Sequence, residues 1–468
     1  MSDIVAMLRD IVGVGGVLET REDCAAYAND LTKSPGGDVA CVVRPHSTAE
    51  VSAVLAACSR VDNVAVIPRG GGTGLAGGAT PLPGHINVMI SLERMRTVRT
   101  VDLVGNIMIV EAGCTLHDAQ AAAAAAGRLL GLDHGGTSSH IGGNLATNAG
   151  GNNVLRYGMA REQAFGLEVV LADGRVVSQL SPLRKNNAGY DLKQIFLGSE
   201  GTLGVITAAA LRLRPAPRMR VTACLGVASL DAVLALFARV QSDLGEAVSA
   251  FEVMSRAALD LHFAHSGKQR EPFATVMPWT VLIEADSASL HFNLMAAFEA
   301  LIAEAMEQDL IVDGTVAASE AQRQALWALR EGIPNAMIDT PGSLKSDTAV
   351  PISAIAAFEA AARRAVAEVV PGCVPAPFGH VGDGNIHFNV LPPPDMAGEM
   401  FRAQWPALAR AIEDMALAHG GTVSAEHGIG LVKRDALRRM RTDTDLDVMR
   451  ALKHALDPRG LLNPGKMI

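Results

Sequence analysis

Two short stretches in the last quarter of this chain hold the residue types that chemistry requires. In FGHVGDGNIHFNV, Phe378 to Val390, His380 and His387 stand on two arms joined by the tight turn Gly382 to Asn385. A hairpin brings such histidines side by side, and paired neutral imidazoles are a metal-ligand arrangement. Further on, VSAEHGIG offers Glu426 as a third ligand and His427 as a base. A His2Glu set with an open fourth position is that of a catalytic zinc. Spacing alone leaves a second reading open, since a histidine in such surroundings is more often a hydrogen-bonded core residue. Two cations suit a carboxylate: Arg330 in WALREGIPNAM, near an expected helix end before Pro334, and Lys345 in LKSDTAVP, on the next extended segment. As bare residues, an arginine and a lysine are solvated surface charges in most cases.

Another chemistry is signalled by backbone rather than side chains. The strand-like run Val64 to Pro68 leads into IPRGGGTGLAGG, Ile67 to Gly78, whose exposed peptide N–H groups can close around an anion. Gly72, Gly74 and Gly77 satisfy the G-x-G-x-x-G spacing of a nicotinamide-binding turn. That turn requires its third glycine to open a helix, and here GATPLPG follows, with Pro81 and Pro83 where the helix should run. The loop is therefore expected to hold phosphates with its own amides, aided by Arg69. A second stretch, Gly135 to Gly158, alternates glycines with small hydroxyl and amide residues, which suits a backbone wrapped around a large polar ligand. KNNAGYDL, Lys185 to Leu192, and FLGSEGTLGVIT, Phe196 to Thr207, complete the set.

Together these segments resemble the flavin-binding half of the FAD-linked oxidases and dehydrogenases typified by vanillyl-alcohol oxidase. Within that family they are most similar to the branch of the D-lactate and D-2-hydroxyglutarate dehydrogenases and the flavin-binding subunit of glycolate oxidase. The resemblance covers nearly the whole chain. It implies an α+β fold, with a two-subdomain FAD-binding domain over 1–217, an α+β substrate (cap) domain over 218–425, and a C-terminal segment, 426–468, returning to the flavin. For the FAD pyrophosphate it implies Pro68, Arg69, Gly70, Gly71, Gly72, Thr73, Gly74, Gly77 and Gly78. Along the flavin and its ribityl chain it implies Ser138, Gly142, Gly143, Asn144, Thr147, Asn148, Gly150, Gly151 and Gly158. Glu200, Gly204, Val205, Ile206 and Asn463 join them, with Lys466 close by. Thr73 stands where covalent-flavin relatives carry histidine, so the FAD should be non-covalent. His134 and His140 are expected to be structural or flavin-contacting.

In the same branch, the positions matching His380, His387 and Glu426 hold a divalent metal, zinc or another, and the position matching His427 is the catalytic base. Arg330, Lys345 and Asn385 fall where the substrate is bound. One departure stands out: some members carry a hydroxyl residue four places after the arginine, where this chain has Pro334. The implied activity is oxidation of a D-2-hydroxy acid to the 2-oxo acid by FAD, with the metal polarising the hydroxyl. Electrons would pass to an electron-transfer flavoprotein or a quinone-linked partner. Two alternatives remain beside it: a flavoprotein component of a larger complex such as glycolate oxidase, or a redox-neutral alkyl transferase of the same superfamily. The second would need a basic phosphate pocket in the cap, and no basic cluster is visible there.

The rest of the sequence must position these groups. At 468 residues it is long for one core. A net charge of −9 argues against nucleic-acid or anionic-membrane partners. Six cysteines without C-x-x-C spacing read as reduced core residues of a cytoplasmic protein, and no window approaches a membrane span. A homodimer is left open. Ser47 and Glu50 are expected to form a capping box over a helix whose buried face is Val51, Val54, Leu55 and Cys58. Thr115 should cap an Ala-rich helix that stops at Gly127, and EVVLADGRVV should be a hairpin turning at Asp-Gly. After Pro217, strands alternate with long helices, including 230–241, 317–331, 352–370 and 398–418, as in a cap built on an antiparallel sheet. The end, LDPRGLLNPGKMI, is expected to fold back over the first domain.

Overall fold

The computed structural model describes residues 2–267 and 271–468. The chain divides into two compact units, the first comprising Met1–Gly151, Tyr157–Ala216 and Glu426–Ile468, the second Asn152–Arg156 and Pro217–Ala425. Each mixes helices with sheet, the α+β class the sequence implies. Among the described residues no helix is long and apolar enough to cross a membrane.

The first unit contains two sheets. One is formed by β1 (Val17–Leu18), β2 (Val39–Val43), β3 (Val64–Arg69) and β4 (Ile86–Ser91) in the order β1-β2-β4-β3. β2, β4 and β3 run parallel, and β1 pairs antiparallel at the edge. Residues 70–85, which connect β3 to β4, contain no helix, so the glycine-rich loop leaves the strand as irregular backbone. Asn87 stitches its return: the side chain accepts from Leu82 N–H and donates to the carbonyls of Asp38 and Leu82. The helix Thr48–Cys58 packs with Val51, Val54, Leu55 and Cys58 inward. Its cap differs in one bond from expectation, because Ser47 accepts from Glu50 N–H but the Glu50 carboxylate reaches His46 N–H instead of Ser47.

The other sheet takes β5 (Val98–Asp102), β6 (Ile107–Glu111), β7 (Arg128–Leu130), β8 (Ala164–Val170), β9 (Val176–Gln179) and β10 (Val205–Pro215). Its order is β5-β6-β10-β8-β9, with β7 also on β10, and all its pairings are antiparallel. Thr115 caps the helix Leu116–Ala125, and the β8–β9 hairpin turns through Asp173 and Gly174, the latter at φ 90°. Such a φ suits glycine. The chain end does return to this unit. Val66 of β3 bridges Leu462 in parallel, its N–H donating to Leu461 and its carbonyl accepting from Asn463.

The second unit is one antiparallel sheet with helices. Its strands are β11 (Met219–Val227), β12 (Val248–Ser255), β13 (Trp279–Ser287), β14 (Asp313–Val316), β15 (Thr348–Ala349), β16 (Val374–His380) and β17 (Asn385–Leu391). They lie in the order β14-β11-β13-β12-β16-β17-β15. A helix the sequence reading missed, Arg256–Ser266, starts where Ser255 ends β12 and caps Ala258 N–H. The expected helix 398–418 is interrupted, forming Gly398–Arg402 and Trp405–Ala418.

A larger difference concerns the expected helix 317–331. It runs instead over Glu320–Asp339, with Pro334 inside it, so Arg330 sits in a helix interior and not at an end. Proline lacks the N–H that would bond the carbonyl four residues back, here that of Arg330. The helix continues because Ile333 just before the proline and Ala336 and Met337 beyond it are buried, and packing outweighs the local preference to stop. Replacing Pro334 by alanine should restore the missing bond and stabilise the second unit by about 1–3 kcal/mol, read as a rise in unfolding temperature. An unchanged or lower unfolding temperature would show that the proline ring contributes packing worth as much as the bond.

Candidate active site

In the first unit, glycines bring the two polar stretches into contact. A Cβ on Gly71 would lie 2.5 Å from the carbonyl oxygen of Ser138, and one on Gly70 would lie 3.4 Å from the His140 side chain and 3.6 Å from Gly143. Any side chain at Gly71 would push the loops apart. Gly74 is different, since a Cβ there would meet Asp30 at an ordinary 3.5 Å. Several other expected cofactor glycines serve the fold: a Cβ would strike Asp133 from Gly151, Glu162 from Gly158 and Val169 from Gly204. Val205 and Ile206 begin β10 with buried side chains.

The polar residues of these loops divide into partnered and unpartnered. The Arg69 guanidinium donates through Nη2 to the Ala26 carbonyl at 3.0 Å and stacks over Tyr27. Thr147 donates to the Gly143 carbonyl, and Asn148 accepts from Arg161 N–H. His134 pairs with Asn144 Oδ1. Left over are Arg69 Nε, Asp30 Oδ2, His140 Nδ1 and Asn144 Nδ2, all buried and without a hydrogen-bond partner. Buried polar atoms in a native chain are rarely left this way. Beside them, a Cβ on Gly78 or on Gly143 would meet nothing within 4 Å. Open backbone lined with unsatisfied donors and acceptors fits a large polar ligand.

Behind the loops lies a set of buried charges. Glu200, 9% exposed, accepts from the N–H groups of Ile429 and Gly430, both at 2.7 Å. Asn463 donates to the Glu200 carbonyl at 2.7 Å, and Lys466 Nζ donates to Asn463 Oδ1 and to the Gly78 carbonyl. Burial pushes the Lys466 ammonium down to about 7, against the pull of Asp30 and Glu200.

In the second unit, the hairpin of β16 and β17 sets the His380 and His387 rings 5.7 Å apart, centroid to centroid. The sequence reading missed what holds them. Glu252 on β12, paired in register with His380, accepts from His380 Nδ1 at 2.6 Å and from Arg330 Nε at 2.7 Å. A lone acid in the otherwise apolar run AVSAFEVM was its only signal. Burial alone would raise the Glu252 pKa, but His380 and Arg330 outweigh it and hold the carboxyl below its ordinary range. An ionised carboxylate only accepts, so Nδ1 of His380 carries a proton, and in the neutral ring Nε2 keeps the lone pair. His387 Nδ1 lies 3.3 Å from the Ser346 carbonyl, which fixes the same tautomer.

Both imidazoles are thus prepared as Nε2 donors, each held from behind by an acceptor as metal-ligating histidines usually are. Within the second unit His380 and His387 supply two such ligand atoms, and Asp347 of the same unit is a carboxylate bound by the last residues before Glu426. Glu426 follows Ala425, whose N–H donates to Asp347. Two imidazoles with free Nε2 lone pairs are the chemistry that a divalent ion takes.

Arg330, 5% exposed, stacks over Phe378 at 4.7 Å and brings Nη2 to 3.4 Å from His380 Nε2. Lys345 is exposed, on a segment whose neighbour Leu344 pairs with Val390. Asn385 donates to the Thr348 carbonyl at 2.8 Å and leaves Oδ1 buried without a partner.

A family model for the C-terminal domain of FAD linked oxidases matches residues 216–467, and one for an FAD binding domain matches residues 39–179. The chain belongs to the FAD-linked oxidase family. It is 38% identical over 449 residues to the D-2-hydroxyglutarate dehydrogenase of Xanthomonas citri pv. viticola, covering 95% of this chain and 92% of that one. It is 37% identical to the mitochondrial D-2-hydroxyglutarate dehydrogenase of Bos taurus, covering 100% of this chain and 83% of that one. Among solved structures, p-cresol methylhydroxylase with substrate bound superposes with a TM-score of 0.79 at 15% identity, covering 100% of this chain and 96% of that one, a likeness of fold.

FAD is the ligand that this family's binding domain takes, and the unpartnered atoms around Gly70–Gly78 and His140–Asn144 suit its polar length. The half-buried Thr73 carries no ring nitrogen to which a flavin could be covalently attached.

Lys466 gives a test that needs no turnover. Its folded pKa of about 7 lies below the ordinary 10.5, so between those values the unfolded chain binds the extra proton. Stability of the FAD-free chain should therefore rise with pH across that window, the charged-lysine penalty being fully present below it. Relative to Lys466→Met, the wild type should gain unfolding temperature between about pH 6 and about pH 9.5. A constant difference between the two proteins at both pH values would place the Lys466 charge in water.

Proposed function

We propose that this FAD-linked oxidase is a dehydrogenase of D-2-hydroxy acids, of the D-2-hydroxyglutarate or D-lactate kind, yielding the 2-oxo acid. The observation that carries this reading is the guanidinium of Arg330 beside the imidazole of His380. A 2-hydroxy acid carries its hydroxyl and carboxylate on adjacent carbons, and it requires a cation for one next to an activating group for the other. The names of the relatives support the same substrate class.

FAD, when bound, would supply the hydride acceptor, and a divalent ion held by His380, His387 and Glu426 would supply a Lewis acid for the hydroxyl. This chain's own residues do the rest. Arg330, held rigid by Glu252 and Phe378, offers Nη1 to the carboxylate and fixes the substrate's orientation. Asn385 presents its unpartnered Oδ1 to a polar hydrogen of the substrate. His427 takes the hydroxyl proton as the Cα hydride leaves. Lys345, exposed, is suited to a second carboxylate at the far end of a longer acid. Electrons leave to an external acceptor, an electron-transfer flavoprotein or a quinone-linked partner.

A panel of D- and L-2-hydroxy acids with a dye acceptor tests the substrate class, and only D-acids should reduce the flavin. Bleaching by L-acids alone would overturn the stereochemical assignment. His427→Ala should lower kcat by about 10² to 10⁴ with KM and flavin content little moved, because the base acts only as the proton leaves. An unchanged kcat would remove His427 from the reaction. The metal has a readout of its own: Glu252→Gln should weaken divalent-ion binding by about 10- to 100-fold in a direct titration. Equal ion affinity in wild type and variant would mean that His380 does not hold a metal through Nε2.

A further inference from the structure

Glu200 is the one acid among the residues of the flavin loops held at positive φ, at 52°. Its neighbours Gly198 and Gly201 are glycines with φ of 77° and 70°. The backbone there is left-handed, a conformation that glycine adopts freely and that asparagine tolerates, but that is uncommon for a longer side chain. A glutamate kept in that conformation has a use for its carboxylate.

Its main chain is pinned on two sides. Glu200 N–H donates to the Ala146 carbonyl at 2.8 Å, and the Glu200 carbonyl accepts from Asn463 at 2.7 Å. Its carboxylate is buried with one oxygen on Ile429 N–H and the other on Gly430 N–H. Gly428 and Gly430, at φ 79° and 48°, curve the backbone into a concavity whose amides point at that carboxylate. A Cβ on Gly428 would sit 2.7 Å from Glu200 Oε1, so a side chain there would push the carboxylate off its amides. On its other side the loop is tied down by Leu431 N–H to the Ala76 carbonyl and by Met467 N–H to the Gly430 carbonyl. His427 is the residue directly before this concavity.

We propose that Glu200 is a positioning residue for His427: by gripping the amides of Ile429 and Gly430 it fixes the backbone that presents the base. The inference rests on the reading of His427 as the base. Burial raises the Glu200 pKa, and the two amides with Lys466 oppose that rise without cancelling it. The carboxylate thus depends on the amides as much as they depend on it.

Two variants separate a positioning role from a structural one. Glu200→Gln keeps the size but turns an amide NH2 toward a backbone N–H, so one bond is lost. Glu200→Gly removes the grip and suits the left-handed backbone. Both should bind FAD and keep KM, while kcat falls by about 10- to 100-fold, the cost of misplacing a catalytic group by an ångström or less. Amide hydrogen exchange at Ile429 and Gly430 should quicken in both. In a His427→Ala background, Glu200→Gln should cause no further loss, because it acts through the absent base. Unchanged exchange at the two amides, or a kcat loss of equal factor with and without His427, would overturn the proposal. A His427→Ala enzyme with wild-type kcat would instead sink the base assignment, and the exchange measurement would still decide whether Glu200 holds the loop.

Discussion

The second unit depends on one buried carboxylate. Glu252, 1% exposed, sits on a central strand and is bonded both to Arg330 on a helix and to His380 on the next strand. Taking such a charge out of water costs several kcal/mol, and an unpartnered one would be untenable. Here two partners meet it with short, directed bonds, and in return it fixes their rotamers and the tautomer of one. A buried ion pair adds little net stability compared with an apolar pair of the same volume. Its contribution is positional, since it aligns a guanidinium and an imidazole that would otherwise each have several orientations to choose from.

The first unit solves a different problem, that of holding a long polar ligand against bare backbone. Strand β3 delivers the glycine-rich loop, and the close approach of Gly71 to Ser138 brings the second polar stretch alongside. The glycine-rich loop runs on without a helix, whereas the second stretch opens the short helix Ile141–Ala146 just after Ser138. The chain end completes the arrangement by pairing with β3 at Val66 and by sending Asn463 and Lys466 beneath the loops. A segment remote in sequence thereby becomes part of the same wall, and a substitution in either stretch would be felt in the other.

What the sequence disclosed follows from how local each feature is. The strand before the glycines, the prolines that forbid a Rossmann helix, the Thr115 cap and the two-histidine hairpin are set by neighbours a few residues apart, and all were readable. Pro334 misled because its local preference to end a helix is overridden by the burial of Ile333, Ala336 and Met337, a tertiary fact. Glu252 and Asp347 were invisible as site residues because their partners come from other strands and loops. Glycines were read as room for a ligand, yet Gly71 makes room for another loop and Gly151 for a neighbouring carbonyl. Glu200 was expected near the flavin from the resemblance alone, and its bond to Gly430 spans 230 positions, which no spacing rule reaches.

Glu252 and Glu200 show that burial does not by itself decide how a carboxylate behaves. Both are buried, yet burial wins at Glu200, whose pKa is raised, and loses at Glu252, whose pKa is lowered. The difference lies in the partners. Glu252 faces the full charge of Arg330 and the His380 ring within hydrogen-bond distance, whereas Glu200 faces the partial charges of two peptide N–H groups, with Lys466 and Lys433 further off. Dipoles offset desolvation less completely than an adjacent formal charge does. Glu252 is therefore suited to a task that requires fixed ionisation, the orientation of a metal-type histidine and a carboxylate-type arginine. It also neutralises much of the Arg330 charge, so what the arginine offers any anion is the direction of its remaining N–H bonds more than long-range attraction. Glu200 is suited to holding backbone, where the geometry of two amides matters more than the magnitude of the charge between them.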